Sequence, residues 1–374
     1  MRSDHYPVGD ESDARDHRVS AAEASERRTS PRVLTITLNP AVDVCLEVDR
    51  LAETSRSHAR VRSVRAGGEG IDIARGIRRL GGAATAIYVS GGDTGHRLDH
   101  LLEVEGLDRT RIPVAGETRE AAMIAETRTE RNFHIVHPGA RMTEHEVARC
   151  LATIRAEASA HRVIVVAGGF PPGVRDDFTA TVVRAARETE TPVLVDITGR
   201  HLRRLCGEDA FLIGLDRIEA AELIGHPIDS FADAGQANRH LLETGATRHV
   251  VTTVGGLGVV FSDADTDHMI SAPPLPTSPR GDTCGGAGLI AALAYRIACG
   301  DNCLAACEFG VAAATAAALW PDTEVLHPET IGALIRQVRI EHVPGGRIGP
   351  TKPHRRRAQA STRRAHPYDE WCGE

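Results

Sequence analysis

Three glycine-rich segments of this chain place an acid or a hydroxyl where backbone amides can meet a ligand. The first, Gly67-Gly68-Glu69-Gly70-Ile71-Asp72, leads into a stretch whose Ile73, Ile77 and Leu80 share one helical face, and Gly81-Gly82 ends it. Glycines there let N–H groups approach a ligand at the positive start of a helix, and Asp72 can accept from ligand hydroxyls. A glycine-rich turn is also an ordinary connection. The second, Thr253-Val254-Gly255-Gly256-Leu257-Gly258, follows a β-rich run. Its amides suit a polyphosphate; a hairpin turn into Val259–Phe261 is the plain alternative. The third, Gly281-Asp282-Thr283-Cys284-Gly285-Gly286-Ala287-Gly288, precedes the apolar stretch Leu289–Ala298. An acid at a helix start rich in free amides suits removal of a hydroxyl proton while N–H donors hold the developing charge. A simple helix N-cap is the rival role for Asp282.

The residue counts narrow the chemistry. Among 374 residues the single lysine is Lys352, near the C-terminus. Schiff-base chemistry in the body is therefore excluded, as is a P-loop, which needs a lysine after its glycines. Cationic contacts must come from arginine, histidine, helix starts or a metal. A net charge of −7 and 3% aromatic residues argue against nucleic acid as a partner. No apolar run is long enough to span a bilayer, and the polar N-terminus lacks a signal core, so a cytoplasmic protein with no membrane partner is expected. The eight cysteines form no CxxC pair and are expected to be reduced thiols.

These segments need rigid elements to hold them. Val33–Leu38, Val163–Ala167, Val193–Ile197, Phe211–Ile213 and His249–Val254 read as buried parallel strands. Glu144–Ala156, Asp176–Glu188 and Asp233–Leu242 read as helices between them. This alternation predicts an α/β layered domain with a mostly parallel central sheet and helices on both faces. Val42–Val48 with Ala59–Arg65, and Ala121–Glu126 with Arg131–His137, read instead as an exposed antiparallel sheet inserted into that body. Such a sheet can act as a lid that excludes water, or can simply extend the main sheet. Residues 1–31 and 343–374 are too polar to bury much and are expected to be disordered, the latter basic around His354-Arg355-Arg356-Arg357.

Two further segments complete a pattern: Asn39-Pro40-Ala41-Val42-Asp43 after the first strand, and Gly168-Gly169-Phe170-Pro171-Pro172-Gly173 after another. Together with the three glycine segments, Gly91–Gly95 and the run FGVAAATAAA, their order and spacing resemble the PfkB-type, ribokinase-like carbohydrate kinases from about Arg32 to Ile340. The nearest branch holds minor 6-phosphofructokinases, 1-phosphofructokinases and tagatose-6-phosphate kinases. The resemblance implies a three-layer kinase domain over 32–342, with a β lid from about 42–66 and 118–137. It implies phosphoryl transfer from ATP, with Mg2+, to a hydroxyl of a sugar or sugar phosphate, and a possible homodimer through the lid. It also implies sugar contacts by Asp43, Gly67, Gly68, Gly70 and Asp72, and a substrate-phosphate contact by Arg119. Thr253, Gly255, Gly256 and Gly258 match the nucleotide-phosphate loop. Glu219, with Asp216, matches the motif that organises Mg2+ through water. Gly281 and Asp282 match the anion hole and catalytic base.

Several positions depart from the family pattern. Glu69 interrupts the glycine run, Asp72 replaces asparagine, Asp216 replaces the asparagine of the metal motif, and Gly214 stands in place of a frequent lysine. Arg56 replaces a lysine, and His58 and His134 replace arginines. The acceptor site thus loses fixed positive charge and gains negative charge, which a phosphate would resist in a low-dielectric cleft. The base itself depends on register. Matching from Gly281-Asp282-Thr283 makes Asp282 the base, whereas counting back from Phe309 puts Ala287 there. An acid in a glycine-rich turn before a helix favours Asp282. Two alternatives follow from the departures: a kinase-derived binding or regulatory protein without turnover, and a kinase for an unphosphorylated sugar or nucleoside.

Overall fold

The computed structural model describes residues 31–274, 282–319 and 328–347. Its strands are β1 (Arg32–Thr37), β2 (Ala41–Val48), β3 (Ala59–Gly67), β4 (Ala83–Ser90), β5 (Arg109–Pro113), β6 (Arg119–Glu126), β7 (Arg131–Val136), β8 (Val163–Ala167), β9 (Val193–Asp196), β10 (Ala210–Leu215), β11 (Thr247–Thr253), β12 (Gly258–Ser262), β13 (Asp267–Ser271) and β14 (Arg339–His342). Its helices are α1 (Glu69–Arg79), α2 (Gly92–Glu105), α3 (Glu144–Ala158), α4 (Phe178–Arg187), α5 (Arg200–Arg203), α6 (Arg217–Ile224), α7 (Phe231–Glu243), α8 (Asp282–Cys299), α9 (Cys303–Ala318) and α10 (Pro328–Leu334).

Ten strands form one sheet in the order β14-β13-β12-β11-β10-β9-β8-β1-β4-β5. It is parallel from β11 to β5 and antiparallel over β11-β12-β13-β14. The central strand β8, Val-Ile-Val-Val-Ala, is buried along its whole length, as a strand covered on both faces requires. One face packs Cys150 and Ile154 of α3, Phe178 and Val182 of α4, Leu223 of α6 and Leu241 of α7. The other packs Ile73 and Ile77 of α1, Leu98 and Leu102 of α2, Leu293 of α8 and Val311 of α9. This is the three-layer α/β arrangement expected from the strand–helix alternation.

Local sequence sets the helix ends. Reciprocal capping boxes start α3 at Thr143 and Glu146, α6 at Asp216 and Glu219, and α7 at Ser230 and Asp233. Helices α8 and α9 approach closely because α9 carries glycine and alanine at the contact: a Cβ on Gly310 would lie 2.9 Å from Leu289 Cδ1.

The structure corrects two expectations. The lid sheet, in the order β3-β2-β6-β7, is not wholly antiparallel: its central pair, β2 and β6, runs parallel. Both strands leave the main sheet in the same direction, and each then folds back as its own hairpin. The ordered chain also continues past His342. Val343 is 3% exposed, and Arg347 hydrogen-bonds the buried Asp267 through its backbone N–H at 2.9 Å, so the expected boundary at 343 falls too early. Cys45, Cys150, Cys299, Cys303 and Cys307 are free. Among the described residues no helix is long and apolar enough to cross a membrane.

Candidate active site

A cleft of about 270 Å3, near the lower end of small-molecule sites, opens between the lid and the strand ends. Asp43, Arg65, Arg119 and His134 face it from the lid, Gly68, Glu69 and Asp72 from the start of α1, and Ala287 and Gly288 from α8.

Asp43, at 7% exposure, lies opposite Arg65 in the β2–β3 register, and Arg65 Nη2 is 3.2 Å from Asp43 Oδ2. Burial raises the Asp43 pKa; the Arg65 guanidinium opposes the rise and Asp72 adds to it. Arg65 Nη1 also donates to Asp72 Oδ1 at 3.1 Å. Arg75, itself buried, pairs with Asp72 and reaches Glu105 and the Ala66 carbonyl, each at 2.9 Å. Arg119 donates to the carbonyls of Asn39 and His137, both at 3.0 Å.

The glycines act by allowing close approach. A Cβ on Gly67 would stand 2.2 Å from Asp43 Oδ2, and one on Gly70 would stand 2.4 Å from Thr37 Oγ1. Gly68, the N-cap of α1, has φ of 128°, a conformation glycine favours. No side chain caps α1, so its first amides stay open at the cleft, and Glu69 and Asp72 sit in the turn that favours acids. Gly68 and Asp72 line the cleft, while Gly67 and Gly70 stand behind it.

Glu69 hydrogen-bonds Asp196 at the end of β9. Burial drives both carboxyls above their usual range; Glu69 raises Asp196 further, whereas the hydrogen bond with Asp196 lowers Glu69, so the proton the pair holds sits on Asp196. Asp216 and Glu219 lie outside the cleft lining. They exchange backbone bonds of 2.7 and 2.9 Å, which leaves each carboxylate one oxygen outside the capping box. Burial pushes Glu219 up to about 8, and its charged neighbours Asp216, Asp196 and Glu222 are all acids. That oxygen-rich excess of negative charge fits a divalent cation. No three ligating side chains converge among the described residues.

The Thr253–Gly258 segment ends β11, makes a 3-10 turn over Gly255–Leu257 and enters β12 as a hairpin. Gly258, at φ 131°, packs so closely that a Cβ would lie 2.1 Å from the Ile270 carbonyl. Thr253, Gly255, Gly256 and Gly258 do not line the acceptor cleft. Gly281 and the side chain of Asp282 lie outside the described residues; α8 begins at Asp282, about 7.5 Å along the helix axis before Ala287. Sequence reasoning missed Arg65, Arg75 and the buried Thr37 hydroxyl, which lines the cleft without a hydrogen-bond partner. Arg56 and His58, in contrast, are not part of the lining.

A main sheet flanked by helices, with a separate lid over acids and open helix amides, defines a small-molecule phosphotransferase of the sugar-kinase type. The comparisons agree. Residues 36–328 match the model of the pfkB family carbohydrate kinases. The ATP-dependent 6-phosphofructokinase isozyme 2 of Mycobacterium tuberculosis is 30% identical over 301 residues, 80% of this chain and 88% of that protein. A 1-phosphofructokinase of Borreliella burgdorferi is 25% identical, covering 83% of this chain and 99% of its own. The crystal structure of phosphofructokinase-2 from Escherichia coli in complex with potassium superposes with a TM-score of 0.76 at 24% identity, over 82% of this chain and 99% of that one. The chain belongs to the pfkB family of carbohydrate kinases and is a phosphotransferase with an alcohol group as acceptor.

Proposed function

We propose that this enzyme transfers the terminal phosphoryl group of ATP, with Mg2+, to a hydroxyl of a sugar phosphate in the manner of a 6-phosphofructokinase. The observation that carries the reading is the lid-covered cleft in which Asp43, Asp72 and Arg119 face the open amino-terminal turn of α1. Asp43 and Asp72 orient the acceptor through its hydroxyls, with Gly67, Gly68 and Gly70 admitting it to the backbone. Arg119 engages the acceptor's phosphate. Asp282 takes the hydroxyl proton, and the Gly281 amide faces the charge that develops. The amides of Thr253, Gly255, Gly256 and Gly258 hold the nucleotide phosphates. Asp216 and Glu219 hold Mg2+ through water; when bound, the metal neutralises charge on the phosphoryl group in transfer. Little covalent work falls to the protein, which suits a body without lysine. The exposed Val61 and Ile135 on the outer lid strands support a homodimer through the lid, in a cytoplasmic enzyme.

The test is ADP release from ATP with fructose 6-phosphate, fructose 1-phosphate, tagatose 6-phosphate, fructose and ribose. Turnover is expected with a phosphorylated ketohexose. ATP binding with no turnover on any of them would leave a binding protein instead. Glu219→Gln should raise the Mg2+ concentration at half-maximal rate by about 10–100-fold, read from a magnesium titration.

The buried Glu69–Asp196 pair favours a second reading, an unphosphorylated acceptor. At an effective dielectric of about 20, two unit charges ~8 Å apart interact by about 2 kcal/mol, so a carboxylate here weighs on any nearby phosphate. On the sugar-phosphate reading, Glu69→Gln should raise kcat/KM for the phosphorylated acceptor by roughly tenfold. A loss with fructose or ribose and no gain with the phosphorylated acceptor would favour the second reading.

A further inference from the structure

Arg65 is a residue of the cleft that no motif explains. It comes from β3, ahead of the glycine segment, and its guanidinium bridges two carboxylates that reach the cleft from different elements. Nη2 lies 3.2 Å from Asp43 Oδ2 of β2, and Nη1 lies 3.1 Å from Asp72 Oδ1 of α1. The three side chains are 19%, 10% and 26% exposed, so the bridge is partly shielded from water and its charges are felt more strongly than at the surface. Asp72 has a second cation in Arg75, but Arg75 is shared with Glu105 and the Ala66 carbonyl. Asp43 pairs with Arg65.

We infer that Arg65 is a positioning residue of the acceptor site: it holds the Asp43 and Asp72 carboxylates in place and aimed at the acceptor hydroxyls. Without it, two carboxylates would face one another in a half-buried cleft. The inference rests on the sugar-kinase reading of that cleft.

The groups that bear on Asp43 set the sign of the pH effect. They are Arg65 from β3, Asp72 from α1, His134 from β7 and Arg119 from β6. Burial and Asp72 raise the Asp43 pKa, while Arg65, His134 and Arg119 lower it, Arg65 most among the cations. Asp43 must be ionised to accept from a hydroxyl. Losing Arg65 therefore carries its pKa further up and moves the acid limb of kcat/KM to higher pH. Neutralising Asp72 moves it back down.

The experiment compares wild type, Arg65→Met, Arg65→Lys, Asp72→Asn and Arg65→Met/Asp72→Asn. It uses steady-state kinetics with fructose 6-phosphate and carboxyl 13C titration of aspartate-labelled protein, with Asp43→Asn assigning the signal. Arg65→Met should raise the acceptor KM at least tenfold with kcat changed less than threefold, and should shift the Asp43 titration upward. Arg65→Lys should recover part of the loss, since an ammonium is a point charge and cannot span both carboxylates as a planar fork does. The double variant should regain most of the KM loss and return the Asp43 titration toward that of wild type. An Asp43 titration unchanged by Arg65→Met, or a double variant as impaired as the product of the two single effects, overturns the inference. If wild type turns over no acceptor, the function reading fails, and the Asp43 titration alone then decides the role of Arg65. Should Arg65→Met not fold, Arg65→Lys is judged by the same upward shift.

Discussion

Asp282→Asn is expected to lower kcat/KM by about 10²–10⁴-fold, the range that a positioned general base supplies, with the melting temperature unchanged. The substitution separates the two roles open to this acid. Asparagine caps a helix as well as aspartate does, so a residue that merely starts α8 would keep both stability and activity. Asparagine cannot take a proton, so a base would lose turnover alone. Helix α8 begins at Asp282, and the first amides of any helix have no partner within it. Ala287 of the same helix lines the cleft, and in the competing register it stands where the base should be. Steady-state assays with a thermal melt decide the matter. Full activity in Asp282→Asn would remove this residue from the mechanism and leave the scaffold without a base.

Gly67→Ala should cost about 100-fold in kcat/KM for the acceptor while leaving ATP affinity unchanged. The added methyl would sit 2.2, 2.4 and 2.5 Å from Oδ2, Cγ and Oδ1 of Asp43, closer than real Cβ contacts come. Gly67 ends β3 and is not among the glycines with positive φ, so alanine suits its backbone, and the conflict falls on the carboxylate alone. Asp43 must swing away and the Arg65 bridge must open. A misplacement of about 1 Å in a positioning group can cost on the order of 10²-fold. Isothermal titration with an ATP analogue and acceptor kinetics read the two sites separately. An acceptor KM within twofold of wild type would mean that Asp43 does not touch the sugar.

Much of this molecule was legible along the chain because the signals are local. β8 reads as a buried strand from five consecutive apolar residues. The glycines announce close approach because few other residues permit it, and Gly67 and Gly70 stand where a Cβ would collide. What was not legible is the pairing of charges. Asp43 meets Arg65 only through the β2–β3 register, which a connection over residues 49–58 and a bulge between Cys45 and Leu46 leave unspecified by pattern. A shift of one residue would turn Arg65 to the other face of the lid. The parallel β2–β6 pair was hidden for the same reason, since its partners lie far apart in the chain. Glu69 read as an isolated intruder in a glycine run until the end of β9 brought Asp196 against it.

By itself, then, the sequence determined the alternation of strands and helices, the glycines at which the chain packs closely, and a body without lysine. These follow from residue type and short-range spacing, which act within a turn or a strand. Only the tertiary structure decided which charges neutralise one another at the cleft. Coulomb energies depend on separations of a few ångströms between residues remote in sequence, and those separations are fixed by register and packing.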